Sequence, residues 1–213
     1  MPIDFYYGSG SPYAWRVWLT LEHKQLPYLL KVVSFAAGDL QKPEIHALNP
    51  RHKIPIIVDG EFSLFESAVI VDYLDEAYPE RPVLPRSVQE RAIARRMIRE
   101  ADQYLAAALE ILVDEILFTD QEHRDAARLQ RGRDAMVAEL GRFESLLTGD
   151  WFAGDPGAVD YTLYPLIALA LRIEKRIPSL SIETALGPRL REWQGRVEAL
   201  PYFATTYPPH WQG

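Results

Sequence analysis

The chain of 213 residues contains no cysteine. That absence excludes disulfides, protein thiolate chemistry and cysteine-ligated metal, and it suits a reducing cytoplasm, the expected location. Long apolar runs are missing too. The longest, Leu163 to Leu171, is too short to span a bilayer and is interrupted by Pro165, so no membrane partner is expected. Histidine is scarce, and His23, His46, His52, His123 and His210 lack metal-ligand spacing, so no metal is expected. Basic residues are outnumbered, giving a formal charge of -7. No basic stripe with interleaved aromatics appears, which argues against a nucleic-acid partner. The start, Met1-Pro2-Ile3-Asp4, reads as the beginning of a strand rather than a secretory signal. The remainder, 48% hydrophobic and 25% charged, is ordinary globular composition, in a length that holds one large domain or two small ones.

The first third alternates strand and helix signals. Ile3 to Tyr7 reads as a buried strand and Gly8-Ser9-Gly10 as a loop. Ser11-Pro12 is an N-cap followed by proline at the first helical position, opening a helix to about Lys24. Tyr28 to Val33 is a second strand and Pro43 to Leu48 a short helix. Pro55 precedes the β-branched run Ile56 to Val58 and, lacking a ladder donor, belongs at the strand's first residue. Asp59-Gly60 reads as a hairpin turn, Glu61 to Phe65 as the returning strand, and Ser67 as the N-cap of a helix to Tyr78. This β-α-β-α-β-β-α order implies a mixed sheet with helices on its faces.

The proline-rich stretch Pro79 to Pro85 is a connection, and no strand pattern follows it. Helical periodicity covers Ser87 to Phe118, Asp120 to Leu147, a very apolar stretch from Gly157 through Ile173, and about Thr184 to Ala199. The expected architecture is an α/β domain over 1–79, a linker over 80–87 and an all-helical domain over 88–213.

The segment from Asn49 to Ser67 carries the chemistry. A cis Ile54–Pro55 bond in a tight turn would expose the Ile54 backbone groups to an extended ligand. Glu66 and Ser67 stand at the positive end of a helix dipole, where an anion is favoured. Backbone donors ending in an anion site suit a small peptide with a free carboxylate.

These pieces, in this order, resemble the cytosolic glutathione S-transferase superfamily over essentially the whole chain. The resemblance is carried by Ser11-Pro12, Lys53-Ile54-Pro55, Glu66-Ser67, the proline linker, the helical second half and Trp151-Phe152-Ala153-Gly154-Asp155 before the apolar helix. It implies a thioredoxin-like first domain, glutathione as co-substrate, a homodimer, and a serine-type site in which Ser11 donates to the glutathione sulfur. It further implies that Ile54 pairs with the cysteinyl backbone next to a cis Pro55. Glu66 would take the γ-glutamyl ammonium, Ser67 its carboxylate, and His52 and Lys53 the glycine carboxylate. Asp102 would reach the ammonium across a dimer. Two positions depart from the superfamily's pattern: Gln41-Lys42 stands where a histidine is common, and Gly157 where a serine or threonine cap is usual.

Free glutathione is a poor nucleophile at neutral pH because only a small fraction is thiolate. Lowering its thiol pKa by about two units takes roughly 2.7 kcal/mol, within reach of one hydroxyl donor and a helix N-terminus. Ser11 is the first candidate donor, with Ser9 and Tyr6 or Tyr7 as alternatives. The acceptor, a small hydrophobic electrophile, would lie near the glycine loop, Tyr13 and Tyr104, with Leu105, Phe118 and Pro208-Pro209-His210-Trp211 as further candidates. The rival functions are a glutathione-dependent peroxidase or disulfide reductase, and a non-catalytic glutathione-binding scaffold.

Overall fold

A computed structural model describes residues 1–211. By contacts the chain divides into two units, Met1–Arg86 together with the segment from Leu200, and Ser87–Ala199.

The first unit holds β1 (Ile3–Tyr7), α1 (Pro12–Lys24), β2 (Tyr28–Val32), α2 (Pro43–Leu48), β3 (Ile56–Asp59), β4 (Phe62–Phe65) and α3 (Ser67–Ala77). The four strands form one mixed sheet in the order β2-β1-β3-β4. β1 runs parallel to β2, pairing Ile3 with Tyr28 and Tyr7 with Val32, and antiparallel to β3, pairing Phe5 with Ile57. Strand alternation divides β1 between two layers. Ile3, Phe5 and Tyr7 pack with Val17, Trp18 and Leu21 of α1 and Ile70 and Leu74 of α3. Tyr6 points to the other face and packs on the cluster of Val33, Ile45 and Ile56. Ile3, Phe5 and Tyr7 are buried, and Asp4 and Tyr6 on the other face are half-buried.

Three local assignments shift. The hairpin turn is Gly60-Glu61, because Asp59 pairs with Phe62, so β4 begins one residue later than the sequence suggested. β2 ends at Val32. Glu66, not Ser67, occupies the cap of α3: its carbonyl accepts from the Ile70 amide at 2.9 Å, and Ser67 is the first helical residue.

The second unit is helical throughout its regular structure. α4 (Val88–Glu100) and α5 (Ala106–Val113) are joined and followed by single π-helical segments, Ala101–Leu105 and Asp114–Phe118, so the helical path is continuous from 88 to 118. α6 (Ala126–Leu146) starts later than Asp120, because Asp125 supplies the cap: its Oδ1 accepts from the Ala127 and Arg128 amides at 2.8 and 3.0 Å. α7 (Ala158–Glu174) is buried continuously from Ala158 to Ile167 and forms the centre of this unit. The last predicted helix is two, α8 (Ile182–Ala185) and α9 (Pro188–Glu198), broken at Gly187-Pro188.

The Gly157 cap has no side chain to contribute, and Asp160 carries the junction instead. Its Oδ2 accepts from the Gly157 amide at 3.0 Å and its Oδ1 from the Trp193 indole at 2.7 Å. The fully buried Trp193 is thereby fixed edge-on to Phe152, ring centroids 5.4 Å apart.

The segment from Leu200, which carries α10 (Phe203–Thr206), groups with the first unit rather than with the helical domain of 88–213. The physical reason is α1's buried Trp15. Its ring meets Phe203, Tyr207 and Trp211 at 6.0, 5.7 and 5.5 Å, and its indole donates to Thr206 Oγ1 at 2.9 Å.

Candidate functional site

Sheet register gathers the predicted residues at one end of the first unit. β1 ends at Tyr7, β3 begins at Ile56, and β4 ends at Phe65, opposite Ile56. The Gly8–Gly10 loop, the Ile54–Pro55 turn and the Glu66-Ser67 step therefore leave the sheet side by side. A Cβ placed on Gly8 would lie 3.2 Å from Ile54 Cδ1 and 2.6 Å from Phe35 Cε2, so loop and turn touch directly.

Ser11 sits half-buried where this loop becomes α1. Its Oγ accepts from the Ala14 amide at 3.3 Å, which leaves the hydroxyl proton available to an acceptor outside the helix. Ser9 is two residues earlier and engaged: its Oγ lies 2.8 Å from His210 Nδ1. The two tyrosines part. Tyr6 belongs to the opposite layer. Tyr7 is buried, edge-on to Trp18 with centroids 4.8 Å apart, and burial pushes its phenol pKa up. Tyr7, Ser9, Ser11, Trp15, Trp18 and Thr206 are among the residues lining a cavity of about 10 Å³, room for about one water molecule. Tyr13 does not line it; the Arg16 guanidinium lies over its ring at 5.8 Å. In the second unit Tyr104 is half-exposed, Phe118 is exposed and Leu105 is fully buried.

The Ile54–Pro55 bond is cis. The turn before it is braced by a residue the motif reading passed over, the buried Asn49. Its Nδ2 donates to the Lys53 carbonyl at 2.8 Å, and its Oδ1 accepts from the Arg51 amide at 3.0 Å. The Asn-Pro dipeptide at 49–50 was the available signal. Lys53 is exposed. His52 is held at φ 54, and its Nδ1 lies 2.9 Å from the Leu40 carbonyl. A carbonyl only accepts, so Nδ1 carries the proton, and the neutral ring presents a lone pair at Nε2. An anion beside His52 is attracted only when the ring is protonated.

Glu66 adopts φ 73, ψ 103, a conformation that side chains rarely take and that costs about 1–3 kcal/mol. Its side chain is exposed, while Ser67 behind it is 7% exposed. The strained cap therefore sets an exposed carboxylate next to a buried serine at the first position of α3, where the helix dipole is positive.

The site can thus hold an extended molecule carrying an ammonium and carboxylates along the turn, and present a hydroxyl and a helix N-terminus to a third group at Ser11. Among the described residues, no group of three or more histidine, aspartate or glutamate side chains is placed to hold a metal ion. No described helix is long and apolar enough to cross a membrane.

A family profile described as glutathione S-transferase, N-terminal domain, matches residues 5–82. The protein named "Probable maleylacetoacetate isomerase" of Vibrio cholerae is 29% identical over 212 residues, covering 93% of this chain and 92% of that one. A "Probable glutathione S-transferase" of Oryza sativa subsp. japonica is 33% identical over 199 residues, covering 89% and 81%. Among solved structures, a glutathione S-transferase from the Antarctic clam Laternula elliptica superposes with TM-score 0.80 at 27% identity, covering 100% of this chain and 94% of that one. A glutathione transferase from Burkholderia graminis with two glutathione molecules bound per subunit reaches TM-score 0.86 at 23% identity, covering 96% and 87%.

Proposed function

The chain belongs to the glutathione S-transferase family, and we propose that it is a transferase that binds glutathione along the first unit's turn and activates its thiol at Ser11. The observation that carries the reading is the contrast between two serines. Ser9 is bound to His210, whereas Ser11 only accepts, from Ala14, and keeps its proton for a ligand at the start of α1.

The thiol arrives protonated and leaves its proton to solvent. The Ser11 hydroxyl then donates to the thiolate, a hydrogen bond to a charged group contributing about 1.5–3 kcal/mol. The N-terminus of α1 adds about 0.3–1 kcal/mol. Together these match the roughly 2.7 kcal/mol that a two-unit fall in thiol pKa takes. Pro12 supports the arrangement, because its fixed φ pre-organises the first turn of α1 behind Ser11. Glu66 accepts from the γ-glutamyl ammonium, Ser67 donates to the adjacent carboxylate, and Ile54 pairs its backbone with the cysteinyl residue. Lys53, with His52 when protonated, faces the glycine carboxylate. The thiolate sulfur attacks an electrophilic carbon of a small hydrophobic molecule, a carbon–sulfur bond forms, and the leaving group departs with the displaced electron pair. The enzyme works in the cytoplasm as a homodimer.

An isomerase reading stands second, favoured by the name of the Vibrio relative. Thiolate adds to an activated carbon–carbon double bond, the electron pair moves onto a conjugated carbonyl oxygen, the single bond rotates, and the thiolate is expelled. Following glutathione during turnover separates the two. A transferase consumes one glutathione per product, and an isomerase returns it unchanged. Loss of neither glutathione nor substrate in a panel of aryl halides and cis-enediones would refute both.

A further inference from the structure

The carboxy-terminal segment reaches the glycine loop through His210 and Trp211, and a Cβ on Gly10 would lie 3.2 Å from Trp211 Nε1. His210 Nδ1 lies 2.8 Å from Ser9 Oγ, and the imidazole rests on the loop backbone: a Cβ on Gly10, whose φ is +85, would lie 2.9 Å from His210 Cε1. Any side chain at 10 would displace this ring. The segment has its own support. Trp15 donates to the buried Thr206, whose hydroxyl donates in turn to the Phe203 carbonyl at 3.0 Å, and the Tyr207 and Trp211 rings meet edge-on at 6.2 Å. The anchor is thus α1 and the aromatic cluster, and the loop is the part held.

From this we infer that His210 is a positioning residue of the thiol site, acting through Ser9. The bond engages one of the two serine hydroxyls of the loop and holds Gly8–Ser11 in the conformation that leaves Ser11 as the donor. The inference rests on the proposal that a thiol binds at Ser11, but the bond itself is testable without a ligand.

The test uses the full-length protein as wild type, His210→Phe, His210→Asn, Ser9→Ala and the Ser9→Ala/His210→Phe pair. Amide hydrogen exchange of Ser9, Gly10 and Ser11 is read first, without glutathione. His210 is exposed, so its bond falls at the low end of the usual net range, and His210→Phe and Ser9→Ala each speed exchange by about twofold to fivefold. His210→Asn, whose amide can replace Nδ1, stays slow, and the double variant is no faster than either single one. An asparagine variant as fast as the phenylalanine one overturns the inference, as does a double variant that multiplies the two single effects. The second reading is the thiol pKa of bound glutathione, which rises in His210→Phe and stays low in His210→Asn. Equal values in those two variants also overturn it. An unshifted thiol in the wild type would instead sink the Ser11 proposal, so the two failures are distinguishable.

Discussion

Asp160 gives the sharpest pH-dependent prediction. It is completely buried at the start of α7, with bonds that favour its charged form, among them Gly157 amide to Oδ2 at 3.0 Å, Trp193 indole to Oδ1 at 2.7 Å, and Phe152 amide to Oδ1 at 3.4 Å. Burial outweighs them and pushes the carboxyl up from 3.8 to about 6. The folded state therefore holds this proton more tightly than the unfolded state does. Its contribution to stability is full below the unfolded value of 3.8 and is lost as pH rises through about 6. A shift of about two units corresponds to about 3 kcal/mol. Asp160→Asn has no proton to gain or lose, so the wild-type-minus-variant stability difference should move by about 2–2.5 kcal/mol toward the wild type between about pH 8 and pH 4. Urea unfolding followed by circular dichroism, at one protein concentration across that range, measures it, and the subtraction cancels every other titrating group. A flat difference, or one that favours the wild type increasingly toward high pH, refutes the reasoning. Asp160→Ala strands buried donors and should cost about 2–4 kcal/mol at every pH.

Trp15→Phe keeps the ring cluster but removes the 2.9 Å bond to Thr206, and urea unfolding should show a loss of about 1 kcal/mol; an unchanged midpoint would contradict that bond. Glu66→Ala keeps the positive φ and Glu66→Gly relieves it, so the glycine variant should be about 1 kcal/mol the more stable in the same assay. Calorimetry should show both Glu66 variants weakened equally toward glutathione, and a glycine variant that binds like wild type would exclude the carboxylate from the site. Asn49→Ala unties the turn before Ile54 and should lower stability by about 1–2 kcal/mol while raising the glutathione dissociation constant.

The first unit was readable because its signals are local. Ser11-Pro12 caps α1 with residues that sit next to each other, and the β-branched run after Pro55 announces β3 unaided. Ser67 misled as a cap because its identity suits one, while the cap was decided by the hairpin, whose register delivers Glu66 to the helix start. The helix read from Asp120 starts later because periodicity does not locate a cap, which the reach of Asp125 to Ala127 and Arg128 provides. The π-helical segments leave no mark in sequences such as Ala101-Asp102-Gln103-Tyr104-Leu105, which contain neither glycine nor proline. The Asp160–Trp193 bond and the Trp15 cluster join residues far apart in the chain, which periodicity does not report. His210 and Trp211 were candidates for an acceptor pocket near the glycine loop, and the packing puts them against Gly10 and Trp15.

The central claim is that the Ser11 hydroxyl activates the glutathione thiol, and thiolate absorbance of bound glutathione, titrated against pH in wild type and Ser11→Ala, tests it most directly. The account predicts a wild-type thiol that ionises about two units below free glutathione and a variant that loses most of that shift while still binding. Glutathione bound with an unshifted thiol, or an equal shift in both proteins, would contradict it.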